Sequence, residues 1–520
     1  MQRLLFTFFY ITSFLVSANE RPNILNIVVD DMGYSDLGCF GGEIQTPNIN
    51  QLAQNGIRFS NYKTYPKCFP TRNAMLSGIQ STPFLDGSAT VAELLKVSNP
   101  DTKCYFVGKT HGDLLPNFEA IHKRSFDRSF GNEDGGNYFD HTLKQCLLDN
   151  KPWHTDKPFY KTDVQADFAI KFLKEHDKKK PFFMHLAFHA PHFPVQAKPK
   201  DIKKYEKIYL QQPQEIREKR IQRLIASGIL TEKYLLSDQE DQNSASWKKL
   251  KEEDRKKFAK VMATHAAMID CIDQNIGRII ATLKSLGIFE NTFITLVSDN
   301  GATNEGGKGL WPGHKASRFG RNYDNTSPVG SENSHWQIGT VWANLCNTPF
   351  RKFKNTCYEG GLSSPLIVHY PKSITKPSIN HQRVYVWDFV PTWLALTSAK
   401  YPQKIKDKSI KPLIGHSILP AVFKGVPFHQ EKDREVLFFY KGTKATAYIK
   451  GKWKIVSKFN GFSKTTWELY QLDDDPTEIK NLAKTQSAKV KEMESSLKAY
   501  VEKHGTVKDF EGYLRINKKK

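Results

Sequence analysis

The chain has 520 residues, 39% of them hydrophobic, with 76 lysines and arginines against 54 acidic residues and a formal charge of +22. That apolar fraction excludes a disordered chain and suffices for a large core split into one big and one smaller domain, while seven cysteines over this length exclude a disulfide framework as the main support of the fold. The positive excess attracts polyanions, namely nucleic acid, anionic membrane or acidic polysaccharide; diffuse surface lysine serving solubility is the competing account.

Met1-Gln2-Arg3, then the mostly apolar run Leu4 to Val16, then Ser17-Ala18 read as a signal peptide over residues 1–18. The run is too short to anchor in a bilayer, and no second stretch of eighteen apolar residues follows. A secreted or periplasmic chain without a membrane anchor is therefore expected, which turns the basic charge away from nucleic acid and toward a sulfated glycan. Ile24 to Val29 has strand length and ends in Asp30-Asp31; far away, Thr292 to Val297 is a second apolar strand ending in Ser298-Asp299-Asn300-Gly301. Adjacent carboxylates repel unless a cation or hydrogen bonds hold them. Oxygen donors without sulfur or imidazole suit a hard cation such as calcium, and ligands of parallel sheets gather beyond the carboxyl ends of strands. A simple hairpin turn is the other reading of Asn300-Gly301.

Between these strands lies Cys68-Phe69-Pro70-Thr71-Arg72. Proline lacks a backbone donor and biases the preceding residue toward extended backbone. The pattern predicts Cys68 on an exposed, stretched segment leading into a helix that starts past Pro70, with Arg72 in its first turn; an ordinary buried thiol is the alternative. Asp163 to Leu173 predicts a helix, Pro181 to Phe188 a strand, and Ala266, Ile269, Ile272, Ile276, Ile279, Ile280 and Leu283 one helix face. Residues 198–260 form a lysine-rich insertion with helical pieces such as Tyr205 to Ala226, read either as a pocket rim or as a solvated helical hairpin. From about Arg383 the texture changes: Glu435 to Phe439, Ala445 to Ile449, Trp453 to Val456 and Trp467 to Leu472 predict short antiparallel strands, and Ser487 to Val501 a closing helix. The expected fold class is α/β, a large mixed, mostly parallel sheet sandwiched by helices over 19–382, with a smaller C-terminal α+β subdomain over 383–520. Trp311, Trp336 and Trp342 are either sugar-stacking faces or core residues.

An ordered series of motifs carries a family resemblance from about Pro22 to about Leu482. It comprises Val29-Asp30-Asp31-Met32-Gly33-Tyr34, the Cys68 motif, Gly108-Lys109-Thr110-His111, Ala190-Pro191-His192-Phe193-Pro194, Ser298-Asp299-Asn300-Gly301, Lys354 ahead of Tyr358-Glu359-Gly360-Gly361, and Trp467-Glu468-Leu469-Tyr470. The set resembles the formylglycine-dependent sulfatases of the alkaline-phosphatase-like superfamily. The resemblance implies that Cys68 is converted to formylglycine by a formylglycine-generating enzyme, and that one calcium ion is held by Asp30, Asp31, Asp299, Asn300 and side chain 68. It further implies that a hydroxyl of the hydrated aldehyde attacks the sulfur of a sulfate ester, that His192 protonates the departing alcohol, and that His111 is the base that regenerates the aldehyde. Lys109 and Lys354 map onto the clamp for the sulfuryl oxygens, and Arg72 onto the group that steadies the modified side chain. His189 is expected as a structural neighbour of His192, with a His189–His192 loop metal pair as the other reading. Phe69 and Thr71 depart from the small residues usual there, which predicts slower recognition by the formylglycine-generating enzyme, and Thr110 replaces the usual bulky aromatic, which predicts a reshaped pocket wall. A phosphodiesterase or phosphonate hydrolase of the same superfamily and a non-catalytic polyanion-binding protein stay as rivals, and nothing in these features sets the oligomeric state.

Overall fold

The computed structural model describes residues 21–515 except 82–84, 86, 112–113, 134–135, 143–144, 237–245, 306–309, 319–320, 406 and 430–433; the expected signal peptide lies outside them. Its centre is an 11-stranded sheet. The principal strands are β1 (Asn23–Val29), β2 (Ile57–Lys63), β3 (Lys103–Lys109), β4 (Arg128–Asn132), β5 (Phe182–Ala187), β6 (Thr292–Ser298) and β7 (Ser363–His369). They lie side by side as β2-β7-β6-β1-β5-β3-β4, with short strands added beyond β2 and β4. From β6 to β4 all neighbours are parallel; β7 alone runs against both β6 and β2.

Strand β1 is buried along its whole length, as a central parallel strand must be when both faces are covered. Leu25, Ile27 and Val29 join one apolar layer and Ile24 and Val28 the other, the period-2 alternation that gives the sheet its two faces. Five helices bear on the site: α1 (Pro47–Gln54), α2 (Cys68–Ser77), α3 (Lys161–Glu175), α4 (Pro213–Ala226) and α5 (Glu252–Ser285). The apolar face expected around Ala266 to Leu283 belongs to α5, which is 34 residues long and packs into the first layer. Beyond the sheet, β8 (Glu435–Tyr440), β9 (Ala445–Lys450), β10 (Trp453–Lys458) and β11 (Glu468–Gln471) form an antiparallel meander. It closes over its own core with α6 (Ser487–His504). A further helix, Val507–Arg515, follows α6 and was not expected from the sequence.

The lysine-rich stretch has a buried foot. Arg220 of α4 is fully buried; it donates through Nη1 to Asp36 Oδ1 (2.9 Å), Ser35 Oγ (3.2 Å) and the Leu345 carbonyl (3.1 Å), and through Nε and Nη2 to Glu43. Asp36 in turn accepts from the Gly33 amide at 2.9 Å, so α4 braces the turn that follows Asp31. A lysine keeps the charge but cannot supply this fork. Arg220→Lys is expected to lower stability by about 1–3 kcal/mol, read as a shifted denaturant midpoint at unchanged slope.

The remaining expectations resolve by packing. The Trp342 ring is buried, with its indole N–H on the Phe258 carbonyl (3.1 Å), and Trp311 stacks on Phe258 at 5.7 Å and packs on Trp247. Trp336 is buried beside His314. All three are packing residues rather than sugar platforms. All seven cysteines are free thiols, and no helix among the described residues is long and apolar enough to cross a membrane.

Candidate active site

Parallel pairing brings the strand ends together. Val29 of β1 lies opposite Ser298 of β6, and Val28 opposite Ala187 of β5, so Asp30, Asp299 and the His189–His192 loop emerge at one edge. Backbone bonds tie the exits: the Asp299 amide donates to Val29 O (3.1 Å) and the Asp30 amide to Ala190 O (3.2 Å). Lys109 ends β3, next to β5, and reaches the same edge. Because β7 runs the other way, the residues before it, including Lys354 and Glu359, also arrive there.

Two successive residues of a strand point to opposite sides. Asp31 escapes that rule because its backbone is left-handed (φ 66°), a conformation that Asp tolerates better than most side chains. Both carboxylates consequently face the cluster and both are buried. His111, after β3, is left-handed as well (φ 42°).

Cys68 differs from its expected setting. It is 0% exposed and is the first residue of α2, with Lys67 as the extended N-cap (φ −155°, ψ 145°). The helix thus begins at Cys68 rather than after Pro70, and Phe69 is helical. Pro70 is tolerated because first-turn amides have no intrahelical acceptor, so its missing N–H sacrifices nothing. Thr71 Oγ1 accepts from the Tyr65 amide (3.0 Å) and donates to the Lys67 carbonyl (3.1 Å), fastening the turn.

Around Cys68 Sγ the charges alternate. Lys109 Nζ is 4.0 Å from the sulfur and 2.6 Å from Asp30 Oδ2. Lys354 Nζ donates to Asp31 Oδ1 at 2.5 Å, and Arg72 donates through Nε to Asp299 Oδ2 at 2.9 Å, with Nη2 in ion-pair contact with the same oxygen at 2.8 Å. Burial works to raise the Asp30 carboxyl, yet Lys109, His192, Arg72 and Lys354 together hold it well below the usual carboxylate range. Asp299 goes the other way: burial and the neighbouring Asp30 charge push it up against the pull of Arg72. Burial likewise makes the His192 imidazole less basic, opposed by Asp31 and Asp30.

Three oxygens in this cluster, Asp30 Oδ1, Asp31 Oδ2 and Asn300 Oδ1, are buried and accept no hydrogen bond from the described residues. Asp30, Cys68 and Asp299 present ligand atoms within 4.8 Å of one another. A buried acceptor left without a donor costs about 1–3 kcal/mol; several on adjoining loops match the all-oxygen donor set of a hard divalent cation. The residues present fit calcium. Asp36, His265 and Cys346 also cluster within 4.8 Å, but the Arg220 guanidinium on Asp36 already supplies the counter-charge there.

His192 is placed by its loop: Tyr138 Oη donates to the His189 and His192 carbonyls (2.9 and 2.8 Å). Its Nδ1 lies 2.7 Å from the Phe193 carbonyl, which makes Nδ1 the protonated donor and leaves Nε2 toward the cluster, 3.7 Å from Asp31 Oδ2. His189 instead has Nδ1 on the Gln165 amide at 2.7 Å, the structural neighbour that was expected. Every residue singled out from the sequence for catalysis or metal binding is on this edge; His111 stands at its rim against the Phe69 ring, 6.0 Å between centroids.

The sulfatase family model matches residues 22–399 of this chain. The chain belongs to the sulfatase family. It is a sulfuric ester hydrolase, and a second model, N-sulphoglucosamine sulphohydrolase, C-terminal, matches residues 351–505 of this sulfatase. Arylsulfatase of Klebsiella aerogenes is 31% identical over 448 residues, covering 78% of this chain and 93% of its own. N-acetylgalactosamine-6-sulfatase of Mus musculus is 26% identical over 500 residues, covering 87% and 75%. Among solved structures, that of Ps i-CgsB in complex with k-i-k-neocarrahexaose superposes with a TM-score of 0.65 at 23% identity over 92% of both chains, a likeness of fold.

One part of the sulfatase site had no role assigned from sequence. Lys354 sits in a loop whose amides bond Ala302 O (Lys354, 3.1 Å) and Pro66 O (Asn355, 2.7 Å), linking the Asn300 turn to the approach to Cys68. That loop lies directly on Gly360 and Gly361: a Cβ there would stand 2.2 Å from Lys352 O and 2.0 Å from Thr356 O. The Glu359-Gly360-Gly361 run was the available signal, since paired glycines outside a turn mark close backbone approach.

Proposed function

We propose that this sulfatase hydrolyses a sulfate ester on a carbohydrate, with formylglycine made from Cys68 by a formylglycine-generating enzyme and one calcium ion held by Asp30, Asp31, Asp299, Asn300 and side chain 68. The observation that carries the reading is the trio of buried, donorless oxygens beside Cys68. The sugars in the names of relatives, N-acetylgalactosamine and neocarrahexaose, support a carbohydrate substrate, and the N-terminal apolar run supports a secreted or periplasmic location.

When present, the ion and the hydrated aldehyde supply an acidified oxygen nucleophile in place of a thiol. The chain's own residues supply the rest. Three carboxylates (Asp30, Asp31, Asp299) face three fixed cations (Arg72, Lys109, Lys354), so a divalent ion leaves a net positive pocket for an anionic ester. Lys109 and Lys354, already buried, meet charge that spreads over the sulfuryl oxygens without reorganisation. Arg72, paired with Asp299 Oδ2, fixes the floor of the site. His192 faces the departing oxygen through Nε2 as the proton donor, and His111 stands by as the base.

Mass spectrometry of the Cys68 peptide from protein made in its own host, with sulfate release from sulfated sugars and with aryl sulfates set against aryl phosphates, tests the reading. Formylglycine with preferential sulfate release is expected. An unaltered thiol with no release overturns it, and faster turnover of the aryl phosphates assigns the site to phosphoester chemistry. Calcium gives an independent readout: adding it to chelated protein at 100 times its Kd should stabilise by about 2.7 kcal/mol, and Asp31→Asn should shrink that rise in Tm.

A further inference from the structure

The mouth of the site is built from two parts of the fold that the sequence keeps far apart. Phe69, the residue after Cys68, is half-buried and packs edge-on against Tyr440 of β8, 6.1 Å between centroids at 65°. The same Phe69 ring lies 6.0 Å from the His111 ring, centroid to centroid. Lys67, the N-cap of α2, holds its ammonium 5.7 Å from the Tyr440 ring centre. The next residue of the meander, Lys441, lies 4.9 Å over the ring of Tyr513. Tyr440 is close to the chemistry: after burial, Cys68, Lys354 and Glu305 are the groups that act most on its hydroxyl.

We infer that Phe69 and Tyr440 form a sugar-binding platform at the mouth of the pocket, with Lys67 and then Lys441 placed to meet further anionic groups of an acidic oligosaccharide. An aromatic face receives the C–H face of a pyranose, and its hydroxyl rim tolerates water, which suits half-buried tyrosine and phenylalanine. Lys67 against the Tyr440 ring, with Lys441 the next residue in sequence, matches a ligand whose flat apolar faces alternate with sulfate or carboxylate groups. The platform also explains why the C-terminal subdomain comes so near the catalytic edge: β8 ends at Tyr440, beside α2. The inference rests on the carbohydrate reading of the same site and narrows it from any sulfated sugar to a substrate of more than one sugar with extra negative charge.

Tyr440→Ala and Lys67→Ala are the cleaner variants, because Phe69 belongs to the segment that a modifying enzyme must read. Formylglycine content is measured for each, so that altered maturation is separated from altered binding. Kinetics compare 4-nitrophenyl sulfate with a sulfated tetrasaccharide, and inhibition by inorganic sulfate reports the ester pocket alone. Tyr440→Ala is expected to raise KM for the tetrasaccharide about tenfold, with kcat, the 4-nitrophenyl sulfate kinetics and sulfate inhibition within about threefold of the parent. Lys67→Ala should do the same only for tetrasaccharides bearing a second anionic group. Equal loss for all substrates and for inorganic sulfate, or no change for the tetrasaccharide, overturns the platform. Direct tetrasaccharide binding to Cys68→Ala protein separates the two claims. If that binding is present and weakened by Tyr440→Ala while the parent protein turns over no ester, the proposed reaction fails and the platform stands; if it is absent, the platform fails.

Discussion

Replacing His192 with alanine is expected to slow hydrolysis of an alkyl or sugar sulfate by about 10²–10⁴ in kcat, while 4-nitrophenyl sulfate loses far less. The difference lies in the leaving groups. A sugar alkoxide is strongly basic and departs only when a proton reaches it in the transition state, whereas 4-nitrophenolate departs unaided. The geometry suits His192, as the imidazolium, to deliver that proton from Nε2–H, because Nδ1–H is taken up by the Phe193 carbonyl at 2.7 Å and Nε2 points at the cluster. His192 makes, among the described residues, no contact that fastens the fold comparable to that of His189 on Gln165, so the variant should fold as the parent does. The measurement is the ratio of the two rates across a series of aryl sulfates of falling acidity. A steeper dependence on leaving-group pKa in the variant is the expected result, and equal loss for all esters would remove His192 from the proton-transfer step.

The role of His192 came from the family resemblance, but the cluster it faces was within reach of the sequence because the strand ends were. Apolar runs ending in acidic residues locate β1 and β6 and their exits, and a parallel sheet has one edge where those exits collect. Asp30, Asp31, Asp299 and Asn300 were therefore legible as one cluster from the residues alone. The onset of α2 was not: the rule that disfavours helix before proline lost to the free first turn, where no acceptor is needed and where Thr71 closes the backbone bonds. Nor was the brace behind the site, because a single Arg220 within a lysine-rich stretch looks like solvated charge until α4 is laid against Asp36 and Glu43. Tyr440 was illegible for a different reason. Its role depends on how the meander docks against α2, more than 360 residues away in sequence, and docking leaves no periodic mark.

Glu359→Gln is expected to destabilise the protein by about 3–5 kcal/mol, the largest loss among single conservative changes away from the reacting groups. Glu359 is buried and holds two buried lysines at once: Lys63 at the end of β2, with Ser363 Oγ adding a bond at 2.9 Å, and Lys454 of β10 at 2.7 Å. Lys454 also meets Glu478 at 2.7 Å, and Glu478 accepts the Glu359 amide at 2.7 Å. The network joins the central sheet to the C-terminal meander through charges that are all buried. Glutamine is nearly isosteric but neutral, so Lys63 is left as an uncompensated buried cation, and breaking a buried pair from one side costs far more than the pair itself contributes. Removing both partners should be milder: Glu359→Gln with Lys63→Met is expected to recover part of the loss, a coupling that a double-mutant cycle in denaturant measures directly. Activity should fall with stability, since Gly360 and Gly361 support the loop that carries Lys354 onto Asp31. A loss below about 1 kcal/mol for the single variant, the range of an exposed ion pair, would mean that water reaches this junction and that other contacts, such as Arg351 with Tyr470 and Arg383 with Asp473, hold the two sheets together.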